Sequence, residues 1–288
     1  MFKESHCIGH QCWHLLDETH PRYNHELAKR LSNPIKRVYQ ALDTAIGHVL
    51  TLVGPEANVI VFSDLGMGSN YTGENLLDAI LLRLESSMSP LWRRSYFTVK
   101  RFEDEVRTWL FRHNNWSLRS YRTAFQLEHN EMSGAIRINL KGREPHGRIQ
   151  IGKELEEFYA CLTQDLLDLI NSDTGTPIVD QVLRTDAVFD GEHRDCLPDL
   201  FAVWRRDAPI RAMASPKIGE LRAESPQYRT GNHVANGIYI GYGPSVYAEK
   251  QPCPASIMDI GPTIAALLET PLPGTDGKPL FRLTPKWI

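Results

Sequence analysis

At 288 residues, 42% hydrophobic and 23% charged, the chain is long enough to bury a core and has the composition of an ordinary globular protein. A net charge of -3 gives no global reason to expect DNA, RNA or an anionic membrane as partner. No run reaches the ~18 apolar residues of a membrane span, the first residues lack the apolar stretch of a secretory signal, and the five cysteines show no disulfide spacing, so a cytoplasmic setting is expected.

From the N-terminus, the first feature is a knot of potential metal ligands, Glu4-Ser-His-Cys-Ile-Gly-His-Gln-Cys-Trp-His14, with His20 close behind. Zinc or iron chemistry needs several imidazoles, thiolates or carboxylates converging on one point. Residues 33–53 then read as a helix: Ile35, Val38, Leu42, Ile46 and Val49 recur at spacings of three and four, Asn33-Pro34 starts it and Gly54-Pro55 ends it. Asn58-Val-Ile-Val-Phe-Ser63 is a short unbroken apolar run, which suits a central parallel strand buried on both faces. Its end delivers Ser63 and Asp64 to a Gly-Met-Gly loop, and a helix restarts over Leu76 to Leu84. A carboxylate at a strand's C-terminal end, followed by a loop and a helix, is the layout of an α/β active site.

Residues 90–125 interleave arginines and lysines with Trp92, Trp109, Trp116 and other aromatics. Such interleaving can mark a nucleic-acid binder. An amphipathic helical insertion is the better expectation, because Glu103, Asp104 and Glu105 interrupt the charge and no stacking motif appears. Beyond it, Ala135 to Leu140 alternates like a strand and enters the polar turn Lys141-Gly-Arg-Glu-Pro-His-Gly147. Leu155 to Ile170 is helical in pattern and Thr176 to Val182 extended. Asp199 to Trp204 and Gly237 to Gly241 are strands, and Ile260 to Leu268 is a closing helix. Strands alternating with helices argue a layered α/β fold.

Two distant segments could complete the N-terminal ligand knot: the end of the apolar strand at Asp64 and Gly231-Asn-His233. Each residue has a plainer reading as well. Asp64 could cap the following helix, His233 could be a turn residue, and His14 and His20 could be surface or core-edge histidines. Cys7 and Cys12 could join His10 and His14 in a structural zinc site, although no Cys-x-x-Cys pair occurs. Lys141 and Arg143 could meet an anionic substrate, since guanidinium forks onto phosphate oxygens, or belong to a solvated loop. No Gly-x-Ser-x-Gly elbow, Walker A loop or dinucleotide glycine pattern appears.

Placed together, these segments resemble the C-terminal part of the alkaline phosphatase superfamily, nearest its type I phosphodiesterase/nucleotide pyrophosphatase branch. Ser63-Asp64-Leu65-Gly66-Met67 is similar to the family's Ser-Asp-His-Gly-Met strand end, His6-Cys-Ile-Gly-His10 to its Asp-x-x-x-His segment, and Gly231-Asn-His233 to its Gly-x-His segment. Pro198-Asp-Leu before a strand, Gly243-Pro244, Met258-Asp-Ile-Gly-Pro-Thr263 and Asp276-Gly277 fit the same order. There are three departures. Leu65 stands where the family has a histidine ligand, His6 stands where it has an aspartate, and the family's first strand and Thr or Ser nucleophile have no counterpart.

The resemblance implies a three-layer α/β/α fold with a mainly parallel sheet. Residues 1–288 would form one alkaline phosphatase-like domain, incomplete at its N-terminus, with a helical basic/aromatic insertion at 90–130. It implies metal-dependent hydrolysis of phosphate mono- or diesters, with His6, His10, Asp64 and His233 as metal ligands and a divalent metal, zinc before manganese or magnesium. That activity would be impaired, or would need a segment supplying the nucleophile. The alternative is a non-catalytic remnant or subunit that keeps the fold and one metal site. A small anionic phosphoester is the expected partner, neither a membrane nor nucleic acid is, and an exposed sheet edge could pair with a second copy.

Overall fold

The computed structural model describes residues 2–88, 122–127, 132–222, 229–246, 254–270 and 272–280. In chain order the helices are α1 (Glu4–Cys12), α2 (His25–Arg30), α3 (Pro34–Val53), α4 (Glu74–Met88), α5 (Lys153–Leu167), α6 (Thr185–Val188) and α7 (Ile260–Leu267). The strands are β1 (Val59–Ser63), β2 (Gly66–Ser69), β3 (Ala124–Leu127), β4 (Ser133–Ile138), β5 (Ile170–Asn171), β6 (Val179–Arg184), β7 (Leu200–Trp204), β8 (Ala212–Ser215), β9 (Gly219–Arg222), β10 (Gly231–Val234) and β11 (Ile238–Tyr242). They gather into two compact units, Met1–Gly68 with His233–Ile288, and Ser69–Asn232. The chain crosses between the units within β2 and again within β10, and these two strands pair. None of the described helices is long and apolar enough to cross a membrane.

In the first unit, α3 forms where its sequence signals place it. The Asn33 side chain accepts from the Lys36 amide at 3.1 Å, Pro34 occupies the first turn where its missing N–H costs nothing, and Gly54 leaves the helix at φ 80°. α1 packs on α3, and β1 pairs with β11, Phe62 opposite Tyr239 and Val61 opposite Ile240. Gly237 sits where any Cβ would strike the Ser63 carbonyl, so only glycine lets the turn before β11 lie against the end of β1. At the other end, the Asp259 carboxylate accepts from the amides of Ser256 and Lys278, both at 2.9 Å, and ties the terminal segment to α7.

The second unit holds a four-stranded sheet in the order β3-β4-β7-β6 and a three-stranded one in the order β5-β8-β9. α4 packs on β3 and β4, and α5 on β6. Leu77, Ile80, Ile136, Ile138, Leu166 and Leu200 are fully enclosed between them. Period-2 alternation in β4 and 3.6-period leucines in α4 and α5 account for that core.

The mainly parallel sheet is corrected by these pairings. Every strand pair whose register is resolved among the described residues is antiparallel, and an isolated parallel bridge joins Leu140 to Ile149. β1 misleads because a continuous apolar run ordinarily means burial on both faces. Here it belongs to a two-stranded ribbon, with Phe62 49% exposed. Apolar content reports burial and bears on the direction of the neighbouring strand only indirectly. The helical insertion expected at 90–130 lies mostly outside the described residues. Within it, Ala124–Leu127 is the strand β3.

Candidate metal centre

Residues 4–12 carry no strong apolar periodicity, yet they form α1, with Glu4 in the first turn, where its charge suits the helix dipole, and His10 in the last. A spacing of four puts His6 and His10 on one face of this helix. Gly9 fixes how close that helix comes to β2, because a Cβ there would stand 2.9 Å from Met67 Cγ. β10 supplies the third imidazole. His233 is a strand residue, 7% exposed, and not the turn residue that its Gly-Asn prefix allows.

The three rings converge. His6 Nδ1 lies 3.4 Å from His233 Nε2, and ring centroids are 4.6 Å apart for His6 and His10, 4.8 Å for His10 and His233, and 5.1 Å for His6 and His233. One nitrogen from each ring falls within 4.8 Å of the others. Two ligands at ~2.05 Å from a tetrahedral zinc lie roughly 3.3 Å apart, so the His6–His233 separation already matches one edge of such a site. His10 and His233 are buried, 3% and 7% exposed, while His6 is exposed. The cluster therefore has a closed floor and an open side. Nitrogen donors of this kind suit zinc better than magnesium or manganese, which prefer oxygen.

The other sequence candidates fall elsewhere. Asp64 is exposed on the bend after β1 and does not join the imidazole trio, and α4 starts ten residues later, so Asp64 does not cap it either. His14 and His20 face one another with ring centroids 6.1 Å apart, outside the trio. Burial pushes the Cys12 thiol up, and burial together with Arg22 pushes His14 down. A zinc site built from Cys7, Cys12, His10 and His14 is not what these residues assemble. Lys141 is exposed on the turn after β4. Arg143 holds Asp199 through two 2.7 Å bonds, donates to the Ile138 carbonyl at 2.7 Å and reaches Glu144 at 3.0 Å. The i,i+4 pair on α1 was the signal available to a helical reading of residues 4–12. The Gly9–Met67 approach had none.

A family profile described as type I phosphodiesterase / nucleotide pyrophosphatase matches residues 7–234. The chain belongs to this family. His10, Asp64 and His233 all lie inside the matched phosphodiesterase segment, and His6 stands one residue ahead of it. Among solved structures, human ectonucleotide pyrophosphatase/phosphodiesterase 5 is similar at 15% identity with a TM-score of 0.40, over 91% of this chain and 54% of that one. The chain thus spans about half the length of that phosphodiesterase. A comparison with curated protein sequences returns no match.

Proposed function

We propose that the chain is a metal-dependent hydrolase of phosphate mono- or diesters, centred on His6, His10 and His233. One observation carries this reading: three imidazoles from α1 and β10 bring nitrogens within 4.8 Å of one another with one side open to solvent. Structural zinc sites are closed by four protein ligands, whereas catalytic ones keep three and leave a position for substrate or water. Divalent-metal dependence is general in the family. When bound, such an ion supplies Lewis-acid polarisation of a phosphoryl oxygen.

The chain's own residues set the rest. All three donors are neutral, so they leave the ion's charge uncancelled, which favours an anionic ester. Buried His10 and His233 hold their rings against a packed floor, and exposed His6 borders the approach. Arg143 has its donors committed to Asp199, Glu144 and Ile138.

A second reading rests on a different observation. Leu65 replaces a family ligand, and its neighbour Asp64 stands outside the trio, which leaves the second ion of a two-metal mechanism poorly held. Under that reading the chain binds one metal without turnover. Release of p-nitrophenol from bis-p-nitrophenyl phosphate by the zinc-loaded chain, abolished in His233→Ala, is the expected result. Zinc binding by calorimetry with no turnover above buffer would favour the non-catalytic reading. Absence of zinc binding in a folded sample would remove both.

A further inference from the structure

The sequence contains a single Asn-Gly pair, Asn236-Gly237, and the fold presents it in the connection between β10 and β11. An asparagine loses its side-chain amide when the backbone nitrogen of the next residue reaches its Cγ. Glycine allows that approach best, because no Cβ restricts the backbone. Asn236 and Gly237 are both exposed and belong to neither strand. Among the described residues the Asn236 side chain makes no hydrogen bond, so no such bond holds its carboxamide away from the Gly237 nitrogen. Asn171 is the opposite case. It precedes Ser172, is 2% exposed, donates to the Pro209 carbonyl at 2.9 Å and accepts from the Asp173 amide at 3.0 Å.

The tertiary structure fixes the glycine of this pair, since a Cβ at 237 would strike the Ser63 carbonyl. Across the same contact, a Cβ at Gly66 would strike the Asn236 carbonyl. The connection leaving β10 therefore lies directly on residues 63–66, with no room for an added backbone atom. We propose that Asn236 is a self-modification site, where the chain converts its own asparagine to aspartate and isoaspartate with water as the only reactant. The isoaspartate form then displaces this connection from the end of β1. In the first step the Gly237 nitrogen bonds to Asn236 Cγ, the Cγ–Nδ2 bond breaks, and Nδ2 leaves as ammonia with the Gly237 amide proton. Water then opens the cyclic imide at either carbonyl. One opening gives aspartate. The other routes the backbone through Cβ and Cγ and so lengthens it by a methylene. This inference is independent of the metal centre.

Ageing the full chain for weeks in mildly alkaline buffer, followed by peptide mapping with mass spectrometry, tests the modification. The peptide spanning residue 236 should gain the mass of an NH2-to-OH exchange and split into two chromatographic forms, one of them a substrate for an isoaspartate methyltransferase. Asn236→Gln should lose both changes, because its longer side chain would have to close a larger ring. The Asn171 peptide should stay unchanged. An Asn236 peptide that ages no faster than the Asn171 peptide overturns the proposal. Hydrogen exchange tests the displacement. The amides of Ile238–Tyr242 should exchange roughly tenfold faster in the aged chain than in the fresh one. Asn236→Asp, which carries the charge without the added methylene, should match the fresh chain. A converted chain with unchanged exchange, or Asn236→Asp as loose as the aged chain, overturns the displacement.

Discussion

His6 and His233, 227 positions apart in the sequence, bring Nδ1 and Nε2 to 3.4 Å of one another, with His10 closing the triangle. If this geometry binds zinc, each imidazole matters. Structural zinc in small proteins binds with ~10–16 kcal/mol shared over four ligands, so losing one donor should cost about 3 kcal/mol, or roughly a hundredfold in affinity. His6→Ala and His10→Ala should both show that loss in competition with a chelator. Affinity should also fall in acid, because protonated imidazole cannot ligate. A pH-independent affinity would mean that other groups hold the ion.

Gly9 provides a test of how the site is positioned. Gly9→Ala should strengthen α1 as an isolated helix by ~1 kcal/mol, since alanine is the better helix former. At the same time it pushes α1 away from Met67, whose Cγ would lie 2.9 Å from the new methyl, and moves His6 and His10 off His233. Metal affinity should therefore fall while thermal stability changes little. Met67→Ala in the same chain should restore affinity, and a double-mutant cycle that proves additive would show that the two residues do not communicate.

Leu65→His tests the correspondence between Ser63–Met67 and the family's strand-end ligands. With Asp64 beside the new imidazole, elemental analysis should count more than one metal per chain, towards two. An unchanged stoichiometry would count against that correspondence.

In the second unit, Asp199 is buried and accepts from Arg143 twice at 2.7 Å and from the Ile138 amide at 2.6 Å. Asp199→Asn keeps the shape but leaves a partly buried guanidinium with Glu144 as its remaining counter-charge, which should cost about 3 kcal/mol. A fall of roughly 6–12 °C in Tm is expected for a chain of this size. Arg143→Met added to Asp199→Asn should recover part of it.

The amides of Lys278 and Ser256 hold the Asp259 carboxyl below the usual carboxylate range. A depressed folded value stabilises above the ordinary value of ~3.9, and that contribution is lost as pH falls through the folded one. The 272–280 segment should therefore loosen only in acid, seen as faster exchange of the Lys278 amide after correction for intrinsic rate. Asp259→Asn should already be loose at pH 7 and lose the acid transition.

Most elements were legible locally. The Asn33-Pro34 start of α3, the alternation of β4 and the leucine spacing of α4 are decided by capping, pleat and helical period, which act over a few residues. α1 was not, because its glycine and scattered polar residues carry no apolar stripe, and its helical state comes from packing on α3. Strand direction was not either.

What the sequence determined by itself was the donor inventory, its order along the chain and the family to which that order belongs. The tertiary structure alone decided which donors meet: His6, His10 and His233 do, while Asp64, His14 and the cysteines do not join them. The physical reason is range. Residue type and period are local properties, whereas a ligand set is a distance between segments, here set by how closely Gly9 lets α1 approach Met67 and by the placement of β10.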